Sequence, residues 1–169
     1  MTNLSMTTLI SIQKAQRKSN MEKVLFSNSA EETIELGEKI GTGALNGSVF
    51  CLTGDLGAGK TTLVRGVAKA LQINSVVQSP TFNIMKVYFN GIKPLIHIDA
   101  YRLADVNTDI GLDEYIGYET GLTVIEWPEF IKELIPEDAI EVNITNVGDN
   151  KRRIVISCKK DNQLEGFAL

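Results

Sequence analysis

Residues Gly54-Asp-Leu-Gly-Ala-Gly-Lys-Thr61 constrain this chain more than any other segment. They complete a GxxxxGK[ST] pattern. The apolar run 48–53 precedes them, and residues 60–72 follow, with Leu63, Val67, Ala70 and Leu71 on one helical face. A strand, a glycine-rich loop and a helix in that order form a cradle for phosphate. Gly54, Gly57 and Gly59 let the backbone curl until successive N–H groups face one anion, with the positive end of the helix behind them. Asp55, Leu56 and Ala58 complete the cradle, and Lys60 adds a mobile positive charge toward the outer phosphates. Thr61 presents a hydroxyl suited to Mg²⁺, a small hard ion that takes few protein oxygens, and Thr62 offers a further donor.

Such a loop needs an acid at the end of a neighbouring strand. Two candidates stand where a crevice at the carboxyl ends of parallel strands would put them: Asp99 after residues 95–98, and Glu126 after residues 123–125. One is expected to hold the metal and the other a water. His97, the only histidine, lies inside an apolar strand and reads as a core residue without a role. Trp127, the only tryptophan, follows Glu126 and reads equally as a core plug or as a flat surface beside a nucleotide.

The 169 residues suit one domain, too small for a nucleotide domain plus a separate substrate domain. The net charge is −4; residues 1–21 contribute Lys14, Arg17 and Lys18 and no acid, which leaves −7 for residues 22–169. That balance opposes tight binding of a polyanion or a lipid surface by this chain alone. Cys51 and Cys158 sit in apolar runs without metal-ligand spacing and read as buried reduced thiols. No apolar stretch approaches the roughly 18 residues of a membrane span, so a cytoplasmic protein is expected. Residues 1–20, rich in Ser, Thr, Asn and Gln, read as an extension that is either disordered or upstream of a start at Met21, in preference to a transit peptide. The domain is expected over residues 21–160, with a tail at 161–169.

Within the domain, residues 24–26 read as a strand. Ser29 and Glu32 make a capping-box pattern for a helix that runs to Ile40 and stops at Gly41. Residues 82–89 and 94–99 flank Asn90-Gly91 and read as an antiparallel hairpin. A polar stretch with Gly111 and Gly117 leads to a strand at 122–125, and Pro128 opens a helix through Ile135. Residues 139–147 and 153–158 form a second hairpin around Gly148-Asp149-Asn150. Strands and helices alternating around a parallel core, with antiparallel hairpins added, make the fold class α/β.

The base-reading and switch motifs of a guanine-specific protein do not occur, since Asn150-Lys151 continues into Arg152 and Arg153. A small-molecule kinase would carry an arginine-rich lid, yet residues 22–169 hold only Arg65, Arg102, Arg152 and Arg153. A kinase, and a nucleotide-gated binding module without turnover, stand as the alternatives to a hydrolase.

Four stretches taken together resemble the TsaE family, bacterial ATPases required to make threonylcarbamoyladenosine in tRNA: residues 54–62, Ser79-Pro-Thr-Phe82, His97-Ile-Asp-Ala-Tyr-Arg102 and Glu126-Trp-Pro128. The resemblance spans residues 24–159. It implies a P-loop three-layer sandwich on a mixed, mostly parallel sheet, with ATP as substrate. It further implies that Thr61 and Glu126 hold Mg²⁺, that Asp99 lies beside the metal and the attacking water, and that Thr81 acts as a switch-like residue near the γ-phosphate. Trp127, a residue around 27–29, and Lys151 or Arg152 of the last hairpin are expected at the nucleotide. The implied partners are a threonylcarbamoyl transferase subunit of the TsaD type and its inactive TsaB-type paralogue, with tRNA reached only through that complex.

Overall fold

The structure, a computed structural model, describes residues 21–104, 110–159, 164–167 and 169; the extension read at residues 1–20 lies outside them. Strand β1 (Met21–Ser27) leads into helix α1 (Ala30–Gly43). The Ser29 hydroxyl accepts the Glu32 N–H at 3.1 Å, while the Glu32 carboxylate reaches back to the Asn28 N–H at 2.7 Å. The first bond satisfies one of the donors orphaned at the helix start, as the capping pattern predicts, while the return bond falls on Asn28, one residue ahead of the N-cap.

The helix does not stop at Gly41. A Cβ on Gly41 would meet the Ala70 Cβ at 2.8 Å and the Val67 carbonyl oxygen at 3.0 Å, so the missing side chain serves helix contact and not a turn. The partner is helix α2 (Lys60–Ala70), which follows strand β2 (Val49–Thr53) through the phosphate loop. Gly37 of α1 and Gly66 of α2 touch backbone to backbone at the same crossing. Leu63, Val64, Val67, Ala68 and Leu71 form the buried face of α2 over the sheet.

The second pair of strands is shorter than the apolar pattern suggests. Strand β3 (Met85–Tyr88) begins only after a turn in which the Pro80 carbonyl accepts the Asn83 N–H at 2.9 Å and Ile84 takes φ 64°. It pairs antiparallel with β4 (Leu95–Asp99) as expected, but Asn90-Gly91 is not a two-residue turn. Neither residue has a positive φ. Instead the connection folds onto the end of α2, where the Ile92 N–H donates to the Leu71 carbonyl at 2.8 Å and a Cβ on Gly91 would lie 2.3 Å from that same oxygen.

Strand β5 (Leu122–Glu126) is followed not by an α-helix but by a 3-10 segment, Pro128–Leu134, broken at Ile131 with φ −137°. The closing hairpin pairs β6 (Ile140–Gly148) with β7 (Lys151–Cys158) across Asp149-Asn150, with a bulge between Asn146 and Gly148. Ile140, Val142 and Ile144 alternate inward against Ile154 and Ile156, the pattern of a sheet buried on one face.

The seven strands form one mixed sheet in the order β1-β7-β6-β2-β5-β4-β3. The central β6, β2, β5 and β4 are parallel, and β1, β7 and β3 join antiparallel at the edges. Helices α1 and α2 cover one face. The other face is packed by Ile96, Ile98, Ile125, Leu103, Leu112 and Ile131, several of them from 3-10 turns. Of the residues set apart as a tail, Leu164 and Phe167 are buried, and the Phe167 ring lies 6.1 Å from that of Phe50. Cys51 and Cys158 are buried and unbridged, and burial, assisted by Glu141, pushes the Cys51 thiol up to about 12.

Candidate functional site

The parallel strands β2, β5 and β4 all run in one direction, so their carboxyl ends meet at one edge of the sheet. Gly54 follows the last residue of β2, Glu126 ends β5 and Asp99 ends β4, with Asp99 and Glu126 in register as neighbours. Both predicted acids therefore face the phosphate loop. A cavity of about 340 Å³ lies between them, lined by the loop and the first turn of α2, by Ser79, Thr81 and Asp99, and by Tyr101, Glu126 and Trp127.

The loop's glycines have distinct physical duties. Gly57 and Gly59 take φ 77° and 112°, a backbone region that costs other residues energy. Gly54 adds close approach to its φ of 137°, because a Cβ there would stand 2.2 Å from the Ile144 carbonyl oxygen of β6. Leu56 is exposed at the loop tip and Ala58 is buried beneath it. The Lys60 ammonium donates to the carbonyls of Gly54 at 2.6 Å and Asp55 at 2.9 Å and stands 4.0 Å from the centre of the Trp127 ring. Burial holds Lys60 below its ordinary value of 10.5, against the opposite pull of Glu126, Asp99, Glu129 and Asp55.

Around Glu126 two donors converge on one oxygen. The Thr61 hydroxyl donates to Glu126 Oε1 at 2.8 Å, and His97 Nε2 lies 2.9 Å from the same atom. His97 is fully buried, as expected of a core residue, but it is engaged at the site. Around Asp99 three donors converge: Ser79 Oγ at 2.5 Å and Thr81 Oγ1 at 2.8 Å on Oδ2, and the Tyr101 N–H at 3.0 Å on Oδ1. The turn at residues 80–84, whose part from Phe82 onward the apolar pattern reads as strand, is what lets Thr81 face Asp99.

Trp127 resolves as a wall of the cavity and not a core plug. It takes φ 59°, and its ring packs 5.1 Å from Tyr101 and 6.5 Å from Phe130. Positive φ at a bulky residue is strained, and such strain clusters at functional sites. Arg152 lies against the outside of the loop, with Nε donating to the Ala58 carbonyl at 2.6 Å. Ser27, its partner in the β1–β7 register, is buried with its hydroxyl 2.8 Å from that of Thr33, and Ser29 is used as the helix cap. Residues 27–29 thus neighbour Arg152 but do not line the cavity.

Sequence reasoning left out Ser79, Tyr101 and His97 as site residues. The available signal was the strand period: positions 97 and 99 lie on one face of β4, so an acid at 99 beside the loop brings His97 to the same side. Among the described residues no group of three or more His, Cys, Asp or Glu side chains forms a metal cage. Thr61 with one carboxylate is instead the sparse oxygen set that suits Mg²⁺, which keeps waters and takes substrate phosphates. A larger cavity of about 480 Å³ lies on the other face of the sheet, lined by Cys51, Glu129, Lys132 and Glu141, away from the loop. No described helix is long and apolar enough to cross a membrane.

Residues 27–154 match the family model of the threonylcarbamoyl adenosine biosynthesis protein TsaE. The chain is 42% identical over 127 residues to the tRNA threonylcarbamoyladenosine biosynthesis protein TsaE of Bacillus subtilis, covering 75% of this chain and 80% of that one. Its counterpart in Treponema pallidum is 39% identical over 133 residues, 78% of this chain and 97% of that one. The crystal structure of Bacillus subtilis YdiB superposes with a TM-score of 0.75 at 32% identity, over 87% of this chain and 92% of that one. A family match over most of the domain, and relatives aligned over most of their own length, make this chain a member of the TsaE family.

Proposed function

We propose that this chain is a Mg²⁺-dependent ATPase that serves threonylcarbamoyladenosine formation in tRNA as an accessory subunit. The observation that carries the reading is the Thr61–Glu126 hydrogen bond in the cavity that Lys60 also lines: a hydroxyl that gives its proton to a carboxylate keeps its lone pairs for a cation. Thr61 and Glu126 would hold Mg²⁺, which when bound neutralises charge on the phosphate oxygens. The loop N–H groups and the start of α2 bind the β-phosphate region. Lys60, satisfied in the free protein by two loop carbonyls, exchanges them for phosphate oxygens. Asp99, with one oxygen held by Ser79 and Thr81, is placed to orient the water that attacks the γ-phosphorus, and the bond to the β-phosphate breaks to release inorganic phosphate. Thr81, on Asp99, is the switch-like residue that senses that phosphate.

The partners in this reading are a TsaD-type transferase subunit and its TsaB-type paralogue, with hydrolysis resetting their complex. Nucleotide would take up the 340 Å³ cavity at the loop, and the larger cavity lies on the other face of the sheet, so among the described residues no pocket places an acceptor beside the γ-phosphate. The same point weighs against a small-molecule kinase, as does the use of the arginines. Arg65 donates to the Val77 carbonyl and Arg102 stacks on Phe82, so neither is arranged as a phosphate lid.

The test is phosphate release from labelled ATP by the purified chain, with and without the two partner subunits. Slow release alone, stimulated by the partners and abolished by Lys60→Ala and Thr61→Ala, is expected. Near-normal turnover by Lys60→Ala, or label transferred to an acceptor, would overturn the reading.

A further inference from the structure

The buried histidine beside the loop has no part in the proposed chemistry, yet its contacts are specific. His97 is fully buried in β4, two residues after the equally buried Leu95 on the same face. An aliphatic side chain therefore suits this face of the strand, and burying an imidazole there costs free energy unless its polar atoms are used. Its Nε2 meets Glu126 Oε1 at 2.9 Å, the atom that also accepts the Thr61 hydroxyl at 2.8 Å. A carboxylate only accepts, so Nε2 supplies the hydrogen; Nδ1 is buried with no hydrogen-bond partner, a place where a second N–H would be left unmet.

We propose that His97 is a positioning residue, whose Nε2–H locks the Glu126 carboxylate so that Oε1 takes the Thr61 proton and the Thr61 oxygen is left to face the metal. The inference rests on the Mg²⁺-dependent reading above and deepens it. The carboxylate would otherwise rotate about its side-chain bonds: Glu126 ends its strand and is followed by Trp127 in a left-handed conformation, so the backbone beyond gives it no regular frame. With two donors on one oxygen from two elements, β4 and α2, a single rotamer is selected. Oε2, engaged by neither donor, is the oxygen left for a metal. Outer partners of this kind set the orientation of a metal's ligands without touching the metal.

The chain's single histidine and single tryptophan make the test direct. Nitrogen NMR of the imidazole in the ligand-free protein reads the tautomer without any variant. Protonated Nε2, with its signal displaced in Glu126→Gln, is expected; an Nε2 that carries no proton would overturn the pairing. ATP affinity, followed by Trp127 fluorescence in Mg²⁺ and in excess chelator, then separates positioning from folding. His97→Gln can return an amide N–H to the Nε2 position, whereas the shorter His97→Asn cannot. His97→Asn should lose about tenfold of the Mg²⁺-dependent gain in affinity, with chelator values within about twofold and His97→Gln restoring most of the gain. A Mg²⁺-responsive wild type whose His97→Asn variant responds equally, or whose Gln and Asn variants lose the gain alike, overturns the inference alone. A wild type that binds ATP equally with and without Mg²⁺ overturns the function reading and this inference with it.

Discussion

Replacing Gly66 by alanine should destabilise the protein, although alanine is the better helix former. In an isolated helix the change would gain about 1 kcal/mol. Here the new Cβ would stand 2.0 Å from the Ile34 carbonyl oxygen and 2.8 Å from both the Glu38 nitrogen and the Gly37 Cα. All three are backbone atoms, so no side chain can swing aside. The shortest contact falls about 1.4 Å inside the 3.4 Å at which ordinary van der Waals contact begins, and α1 and α2 must separate or tilt. Overpacking a rigid contact costs about 1–3 kcal/mol, and one against backbone belongs at or above the top of that range. The net loss is then about 2 kcal/mol, which for a domain of this size lowers Tm by about 4–8 °C. Calorimetric melting of the ligand-free protein reads the stability change. Because α2 begins at Lys60, movement of the helix also shifts the loop, and ATP affinity should fall in the same variant. A Gly66→Ala protein that melts at or above the wild type would refute the claim that this crossing is set by backbone contact.

The two acids should separate by phenotype. Glu126→Ala, which removes the acceptor of Thr61, should weaken Mg²⁺-dependent ATP binding, whereas Asp99→Ala should spare binding and lower turnover; Mg²⁺ titrations of affinity and single-turnover phosphate release check this, and the opposite pattern would reverse the roles. Lys60 predicts a pH dependence of definite sign. Its value lies below 10.5 in the free protein because burial disfavours the ammonium, so ATP affinity should decline as pH rises through that lowered value, before an ordinary lysine titrates. The stability of the ligand-free protein should move the other way. A base depressed by folding opposes the fold while it is charged, so this group's contribution improves as pH rises from the lowered value to 10.5. Affinity that stays flat to pH 10.5 would show that the Lys60 charge is not used.

The parts legible in the sequence are those whose physics is local. The phosphate loop is a string of successive N–H groups at a helix start, so its eight residues carry their own meaning wherever they occur. The Ser29 cap and the β6–β7 hairpin are legible for the same reason: the capping bonds span three or four residues, and the apolar alternation declares a half-buried sheet. Even Asp99 and Glu126 could be chosen as acids at strand ends. What the sequence does not contain is strand order, and only the placement of β5 between β2 and β4 makes those two acids neighbours of each other and of the loop.

Tertiary structure also decided the use of residues with two possible readings. Gly41 and Gly91 look like a helix stop and a hairpin turn; both are places where a neighbouring element comes too close for a Cβ, the Ala70 methyl at Gly41 and the Leu71 carbonyl at Gly91. Phe82 to Ile84 read as the start of a strand, but this stretch bends and brings Thr81 onto Asp99. His97 reads as core, and burial alone is what its neighbours in the chain specify; the carboxylate that gives it a polar task lies 29 residues away on another strand. Local interactions are written in adjacent residues, whereas contacts between elements depend on how whole faces pack. A chain of one-dimensional periodicities can state which side of an element is apolar, but not which partner that side will meet.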